Sequence, residues 1–191
     1  MTEKEKMRLG MWCDTNFDEE LLKLRNEAQS LCFDYNHIRP SEVERQNEVL
    51  KALFGELPKG LTIIAPFICD YGKNVHLGQD VFINSNCYFM DGADIVLGNN
   101  VFVGPFTGFY TSTHPLDYKR RNEGLEKALP IKVGDNCWFG ANVSIMPGVT
   151  IGNGCVIGAG SVVTKDIPDN SLVAGVPAAV KKTINQDEEI D

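Results

Sequence analysis

The chain lacks the features of a disulfide framework, a metal site or a membrane span. It has 191 residues and 6 Cys, and no two Cys form a Cys-x-x-Cys pair or another short ligand spacing, so a zinc or redox motif is not expected. No apolar run approaches the roughly 18 to 20 residues that cross a bilayer, and the opening MTEKEKMRLG lacks the apolar core of a signal peptide. We therefore expect a cytoplasmic protein without a membrane partner.

Positive charge is also scarce. The chain has 18 Lys and Arg against 26 Asp and Glu, a formal net charge of −8. Nucleic acids and anionic membrane surfaces require a cationic footprint, so neither is expected as the main partner. An anionic small ligand would have to bind at a local basic patch.

The N-terminal segment, residues 1–58, has a helical period. Apolar residues recur at spacings of three to four between residues 17 and 54. Capping boxes at Asn16 and Ser41 begin two such stretches, and Gly55 closes the second. The pattern predicts a two-helix appendage.

After residue 60 the period becomes six. Each unit begins with a bulky apolar residue, usually continues with Gly, and carries a small or β-branched residue in its fifth place, as in VGDNCW, FGANVS and IGAGSV. A glycine in the second place allows positive φ or a close approach of two backbones. The spacing predicts a solenoid of short strands over residues 59–184, with about 18 residues per coil and roughly four to five coils. Residues 185–191 are expected to form an acidic tail.

Four cysteines fall in the fifth place of a unit. Cys69 and Cys87 are 18 residues apart, as are Cys137 and Cys155. The spacing predicts that each pair stacks in adjacent coils, about 4.8 Å apart. We interpret them as small interior hydrophobes and not as redox groups.

The repeat is interrupted between Phe109 and Val133, and we expect a protruding loop at residues 110–132. Where a rigid repeat is broken, a functional segment can be attached. The loop carries His114, one of 3 His in the chain, in the run Thr-Ser-Thr-His-Pro. Imidazole is a suitable base for a hydroxyl proton near neutral pH, so His114 is the candidate catalytic residue.

Several segments carry a resemblance to a known family. The hexads, the T-x-T-H-P-[LI]-D segment at 111–117, the R-N-x-G-x-E segment at 121–126 and the ending IGAGSVVTKDIPDNSLVAGVPA resemble the maltose and galactoside O-acetyltransferases of the hexapeptide-repeat acyltransferase superfamily. The similarity covers nearly the whole chain. It implies a mainly β fold, a left-handed parallel β-helix with an N-terminal helical segment. Its handedness runs against the usual rule for crossovers.

The resemblance also implies a reaction. The expected assembly is a homotrimer with active sites between subunits. Acetyl-CoA would be the donor, and His114 would remove a proton from a sugar hydroxyl, with no covalent acyl-enzyme and no metal. An oxyanion would be stabilised by a backbone N–H, in this chain that of Ala141.

Individual site residues follow from the same resemblance. Asn84 is implied both in catalysis and in acceptor binding. The remaining acceptor contacts would be Asp14, Asp70 and Glu126. The groove for acetyl-CoA would be lined by Trp138, Ala141, Ala159, Thr164, Lys165 and Lys182.

The chain departs from some relatives at three positions. Gly92 lacks a carboxylate, Ala141 lacks a hydroxyl and Ala179 replaces a possible Arg. These differences concern the affinity for CoA and the identity of the acceptor more than the reaction type.

Three other functions compete with sugar acetylation. The acceptor could be serine or an antibiotic, and a trimeric solenoid could also serve as a scaffold without catalysis. The γ-type carbonic anhydrases share the repeat, but they need three His ligands for zinc. No second His lies near His114 in the sequence, which argues against that class.

Overall fold

The computed structural model describes residues 1–187, so positions 188–191 of the expected acidic tail lie outside the described residues. It shows a left-handed parallel β-helix with helices at its N-terminal end, which confirms the fold class expected from the sequence. The helices of the described part are α1 (Glu3–Arg8), α2 (Glu19–His37), α3 (Val43–Phe54) and α4 (Tyr118–Asn122).

The solenoid has three faces, each a stack of short parallel strands. Face 1 consists of β2 (Thr62–Ile63), β5 (Phe82–Ile83), β8 (Phe102–Val103), β13 (Trp138–Phe139), β16 (Val156–Ile157) and β18 (Ser171–Ala174), with the antiparallel β19 (Ala179–Thr183) at its end. Face 2 consists of β3 (Phe67–Cys69), β6 (Cys87–Met90), β9 (Gly108–Tyr110), β14 (Ser144–Ile145) and β17 (Val162–Val163). Face 3 consists of β4 (Val75–Leu77), β7 (Ile95–Leu97), β12 (Ile131–Val133) and β15 (Thr150–Ile151).

The solenoid is longer than the hexads alone predicted. Within residues 1–187 face 1 contains six parallel strands, so this part of the chain forms about six coils where four to five were expected. The first strand of this face, at Thr62, and the last, at Ser171, lie outside the run of regular hexads. The coil length also changes, because Ile83 pairs with both Ile63 and Val103, which makes these coils 20 residues long.

The longer early coils alter the cysteine stacking. Cys87 pairs with Phe67 and not with Cys69, so the predicted stack of Cys69 on Cys87 is wrong. The Sγ atom of Cys69 lies instead 3.7 Å from the Sγ of Cys32 in α2. Cys137 and Cys155 do stack, because the 18-residue spacing holds in that part of the solenoid.

Apart from Gly72, which has φ 72°, the glycines of the second place allow close approach and not positive φ. A Cβ on Gly104 would lie 2.6 Å from the carbonyl carbon of Gly140 in the next coil. The left-handed conformation occurs instead in the fourth place of the hexads, where Asn136 has φ 58° and Gly160 has φ 71°. Asn tolerates this region better than most residues, which explains its frequency at this corner.

A ladder of phenylalanines fills the interior. The ring centroids of Phe67 and Phe89 are 5.3 Å apart, those of Phe89 and Phe109 are 4.6 Å apart, and those of Phe109 and Phe139 are 5.6 Å apart. All four side chains are fully buried. Tilted and edge-on contacts of this kind stabilise a core beyond the area that they bury.

The two main helices close the N-terminal end of the solenoid. The Tyr35 hydroxyl donates to the Ile63 carbonyl at 2.6 Å, and the Asn36 amide exchanges two hydrogen bonds with the backbone of Phe67. These contacts occupy polar groups of the first coil that have no preceding coil to pair with. None of the helices in residues 1–187 is long and apolar enough to cross a membrane.

The helix starts differ from those expected. Asp18, and not Asn16, caps α2 through a hydrogen bond to the Leu21 N–H. Ser41 does not cap α3, which follows Glu42 without a side-chain cap. The short α1 and the strand β1 (Cys13–Asp14) were not anticipated, because two to six residues are too few to show a period.

Candidate active site

The expected site residues lie at two different corners of the solenoid, on either side of face 2. The corner between faces 2 and 3, where the long loop leaves the solenoid after Tyr110, is called the His114 corner. The corner between faces 1 and 2, where the chain turns after Ile83 and Phe139, is called the Asn84 corner.

A small antiparallel sheet positions the loop. Strand β11 (Leu125–Ala128) lies between β10 (Ser112–Thr113) and the N-terminal β1, with Asp14 opposite Leu125 and Cys13 opposite Glu126. The loop is therefore an ordered hairpin that is held on one edge by the N-terminal segment. This sheet fixes the relative positions of Asp14, His114 and Glu126.

The imidazole of His114 is oriented by a backbone carbonyl. Its Nδ1 lies 2.9 Å from the Leu125 oxygen, and a carbonyl can only accept, so Nδ1 carries the hydrogen. The lone pair of the neutral ring is then on Nε2. Nε2 lies 3.8 Å from Oε2 of Glu126, and the His114 side chain is 44% exposed. The ring is thus held in the tautomer that a base needs, with its reactive nitrogen accessible.

Glu126 lies beside His114 and is held in place by the facing strand of the hairpin. Its Oε1 accepts a hydrogen bond from the Ser112 hydroxyl at 2.9 Å, and its side chain is only 14% exposed. Asp14 approaches the same hairpin from the other side, and its Oδ1 accepts the N–H groups of Asn16 and Phe17. The structure therefore brings the two carboxylates and the imidazole around one strand.

Asp70 follows β3 at the same corner. Its Oδ1 accepts the Tyr88 hydroxyl at 2.6 Å. Burial raises the pKa of Asp70, while the hydrogen bond from Tyr88 and the charge of Arg25 oppose the rise. Asp70 is thus a half-buried carboxyl whose outer oxygen remains available.

An arginine that the sequence did not single out joins this cluster. Arg25 of α2 donates to the Tyr71 hydroxyl at 3.0 Å and lies over the Tyr71 ring, with 5.5 Å from Cζ to the centroid. Asp70 and Glu126 are both close enough to stabilise its charge. Within residues 1–187 its buried Nε has no hydrogen-bond partner. In the sequence Arg25 is one of several charged residues of the N-terminal helical segment, so no sequence signal distinguished it.

The absence of a side chain at Gly92 has a steric reason. A Cβ there would lie 2.9 Å from the Ser112 hydroxyl and 3.2 Å from the Ala128 Cβ. A side chain at this position would require the Ser112 hydroxyl to rotate away from Glu126 and Ala128 to shift slightly. The negative charge near His114 comes in this chain from Glu126 instead.

The Asn84 corner carries the other set of residues. Asn84, Phe102 and Trp138 line one shallow groove, and Trp138 is 56% exposed. The Oδ1 of Asn84 accepts the Ser85 N–H at 2.8 Å, whereas its Nδ2 donates to no group within residues 1–187. The amide therefore presents a free donor to the groove.

Ala141 and Ala159 lie along the same corner. The corner backbone runs from Asn84 through Gly104 and Gly140 in successive coils, each N–H bonded to the strand of the next coil. A Cβ on Gly140 would lie 2.7 Å from the Ala159 nitrogen, so Ala159 is one coil beyond. In the described part of the chain the Ala141 N–H donates to no protein group, which leaves it free to bind an anion.

The remaining donor-side residues are dispersed. Thr164 and Lys165 follow β17 and are exposed at the His114 corner. Lys182 pairs with Leu172, at the far end of β18 from the Asn84 corner. Its neighbour Lys181, which no sequence motif singled out, has its Nζ 4.0 Å from where a Cβ of Gly175 would be. Lys181 is therefore the lysine nearer to the Asn84 corner.

Within one chain, the structure does not bring Asn84 together with His114. Asp14, Asp70, His114 and Glu126 share one corner, and Asn84, Trp138, Ala141 and Ala159 share the other. Residues 1–187 contain no group of three or more His, Cys, Asp or Glu side chains arranged as metal ligands.

Comparison with known proteins places this geometry in a family. Residues 6–58 match the maltose acetyltransferase hexapeptide capping motif, and residues 130–165 match the hexapeptide repeat of succinyl-transferase. A maltose O-acetyltransferase from Clostridium difficile 630 is 44% identical, with a TM-score of 0.94 over 97% of this chain and 99% of that chain.

A galactoside acetyltransferase in complex with coenzyme A is 35% identical, with a TM-score of 0.93 over 100% of this chain and 99% of that chain. The chain belongs to the maltose and galactoside acetyltransferase family. This confirms the resemblance drawn from the hexads and the His114 loop. A hexapeptide-repeat acetyltransferase from Vibrio cholerae O1 biovar eltor, in complex with acetyl coenzyme A, is 38% identical, with a TM-score of 0.89 over 97% of this chain and 100% of that chain. The protein is thus an acetyltransferase of the maltose and galactoside O-acetyltransferase type.

Proposed function

We propose that this acetyltransferase transfers the acetyl group of acetyl-CoA to a hydroxyl of a sugar, with His114 as general base. The orientation of the imidazole carries the proposal. Its Nδ1–H is held by the Leu125 carbonyl, which leaves the Nε2 lone pair exposed beside Glu126. A related acetyltransferase of Vibrio cholerae has acetyl coenzyme A bound, which supports the choice of donor.

The reaction needs one proton acceptor and no covalent enzyme intermediate. Nε2 of His114 takes the hydroxyl proton while the acceptor oxygen attacks the thioester carbonyl carbon. The tetrahedral oxyanion then collapses, the C–S bond breaks, and the leaving thiolate takes the proton back from Nε2. A correctly placed base contributes roughly 10² to 10⁴ in rate.

Backbone and amide donors would stabilise the charge that develops. The free Ala141 N–H suits the oxyanion, and one such donor contributes on the order of 3 kcal/mol. The free Nδ2 of Asn84 suits an acceptor or thioester oxygen in the same groove. Trp138 offers an exposed indole for the pantetheine arm of CoA, and Ala159 allows close approach of its chain.

A cluster of polar groups at the His114 corner suits a sugar. Asp14, Asp70 and Glu126 provide carboxylate acceptors, and Arg25 provides a buried donor with an unused N–H. Sugar hydroxyls both donate and accept, so a pocket with paired carboxylates and a guanidinium can bind several of them at once. Serine or an aminoglycoside would bring a positive charge to the same carboxylates, so either is the second candidate acceptor.

Completion of the site requires a second copy of the chain. The two half-sites flank face 2, and face 2 presents apolar Ile68 to solvent at 47% exposure. If three copies pack through face 2 about a threefold axis, the His114 corner of one subunit meets the Asn84 corner of its neighbour. A closed cyclic arrangement of this kind buries the same surface in every subunit.

The phosphates of CoA would meet basic groups in an otherwise acidic protein. The candidate basic partners are Lys165 at the His114 corner and Lys181 or Lys182 near the C-terminal coil. Thr164, next to Lys165, offers a neutral hydroxyl donor. Because the net charge is −8, such contacts must act locally.

An acceptor panel tests the proposal. Release of CoA thiol from acetyl-CoA is measured with maltose, glucose, a galactoside, serine and an aminoglycoside, and the product is identified by mass. The proposal expects acetyl transfer to the sugars and none to serine. Turnover with serine or the aminoglycoside alone would favour the second acceptor class, and no turnover with any sugar would overturn the proposed acceptor.

A further inference from the structure

Asp91 is a buried carboxyl that the proposed reaction does not use. It follows β6 and is fully buried. Its Oδ1 accepts the backbone N–H of Asp70 at 2.9 Å and that of Tyr71 at 2.8 Å, and its carbonyl accepts the Asn74 side chain at 2.6 Å. The Asp70 N–H also lies 3.3 Å from the Phe89 carbonyl oxygen, whereas that of Tyr71 bonds to Asp91 alone within residues 1–187. Within residues 1–187 its Oδ2 has no hydrogen-bond partner.

This arrangement is unfavourable in itself. A buried carboxylate oxygen without a partner loses its hydration and gains nothing in return. Burial raises the pKa of Asp91 to about 6, and the charge of Asp70 adds to the rise, although the N–H groups of Tyr71 and Asp70 lower it. The backbone groups that donate to Oδ1 indicate the role of this buried carboxyl.

The two N–H groups held by Asp91 belong to consecutive residues of the His114 corner. Asp70 presents its carboxylate beside Tyr88, and Tyr71 holds Arg25 through its hydroxyl. Both side chains therefore depend on the same turn, and Asp91 is the group beneath it. The charge of Arg25 reaches Asp70 and Glu126, so a shift of this turn would displace Asp70 and the Arg25 guanidinium relative to Glu126.

We propose that Asp91 is a positioning residue for the acceptor: by accepting the N–H groups of Asp70 and Tyr71, it fixes the turn that presents Asp70 and the Tyr71–Arg25 pair to the pocket beside Glu126 and His114. It does not touch the acceptor itself. The proposal rests on the proposed function, because it assigns these groups to acceptor binding.

The test compares Asp91→Ala, Asp91→Asn and the control Asp94→Ala in the full-length enzyme. Asp94 ends the same turn but is exposed and pairs with His76 at 3.1 Å. We expect Asp91→Ala to raise the KM for the sugar acceptor roughly tenfold or more, with the KM for acetyl-CoA within about twofold. Asp91→Asn keeps the accepting oxygen and should restore the acceptor KM, and Asp94→Ala should behave as wild type.

Hydrogen exchange provides a readout that does not need activity. The amide of Tyr71 should lose protection roughly tenfold or more in Asp91→Ala and regain it in Asp91→Asn. The amide of Asp70 should change less, because it retains the Phe89 carbonyl as an acceptor. If Asp91→Ala does not fold, Asp91→Ser replaces it, because its hydroxyl is too short to reach both amides.

The outcomes separate the two proposals. Unchanged exchange at Tyr71, an Asn variant as impaired as the Ala variant, or an equal rise of both KM values would overturn the role of Asp91. If the wild-type enzyme acetylates no sugar, the proposed function fails, and the exchange pattern still decides whether Asp91 holds the turn.

Discussion

The Nε2 atom of His114 lies 3.8 Å from Oε2 of Glu126, and the other oxygen of that carboxylate accepts the Ser112 hydroxyl. The gap is too long for a direct hydrogen bond, so the base keeps its lone pair free. The carboxylate is still close enough to stabilise an imidazolium once the proton has moved. Glu126 thus faces both the base and the space where an acceptor would bind.

Glu126→Gln should raise the KM for the sugar acceptor. The variant keeps the shape and can still accept from Ser112, but it removes the charge that an acceptor hydroxyl would donate to. Hydrogen bonds to charged groups contribute more than neutral ones, so we expect a change of roughly tenfold or more. Steady-state kinetics against acceptor and acetyl-CoA separately is the measurement. Glu123→Gln, an exposed carboxylate of the same loop, should leave both KM values unaltered.

Mixed assemblies should reveal a site shared between subunits. The His114→Ala chain retains Asn84, and the Asn84→Ala chain retains His114. If each site takes one residue from each of two neighbours, random mixing at equal amounts restores both residues in about a quarter of the sites. We expect the mixture, refolded together, to recover about that fraction of wild-type turnover. Activity no greater than the mean of the two separate variants would contradict the shared site.

Ionisation of Asp91 should weaken the fold as the pH rises. Its folded pKa of about 6 lies above the ordinary 3.8, so the folded state binds this proton more tightly than the unfolded chain does. Relative to Asp91→Asn, the wild type should lose free energy of unfolding between about pH 4 and pH 6, by roughly 2 to 3 kcal/mol in all. Well above pH 6 the difference in free energy of unfolding between the wild type and Asp91→Asn should stay constant. Denaturant unfolding of both proteins from pH 4 to pH 8 measures it, and parallel curves would be inconsistent with a buried, titrating Asp91.

Two glycines of the hexads should respond differently to substitution. Gly104→Ala places a Cβ 2.6 Å from the Gly140 backbone, and it should destabilise the protein by roughly 1 to 3 kcal/mol. Gly160→Asn adds a larger side chain where nothing lies within 4 Å and where φ is 71°. Since Asn136 and Asn142 already adopt this conformation, the second change should stay within about 1 kcal/mol. Thermal unfolding compares the two, and equal losses would contradict the difference between the second and fourth places.

The hexad period predicted the solenoid because every coil repeats one simple requirement, buried side chains in the first and fifth places of each unit. Interior residues that the spacing anticipates include Phe139 and Ile157 in the first place and Val143 in the fifth. The period did not predict coils of 20 residues, since two extra residues fit into a corner without altering the strands on either side. For the same reason it misplaced Cys69 relative to Cys87.

The site was partly accessible from the sequence. His114 stood out because it lies in the loop that interrupts a regular repeat. The orientation of its ring could not be predicted, because it depends on the Leu125 carbonyl of a hairpin that is held by a two-residue strand at Cys13–Asp14. Arg25 and Asp91 gave no local signal, since their roles arise from contacts between α2, β3 and β6 that are distant in sequence.

Loss of the imidazole tests the central claim most directly. Single-turnover acetyl transfer from acetyl-CoA to the preferred sugar is measured for wild type, His114→Ala and the control His76→Ala, an exposed imidazole on face 3. We predict that His114→Ala slows the transfer roughly 10²- to 10⁴-fold at unchanged affinity for acetyl-CoA, with His76→Ala equal to wild type. Transfer at the wild-type rate by the His114→Ala enzyme would contradict the assignment of His114 as the base.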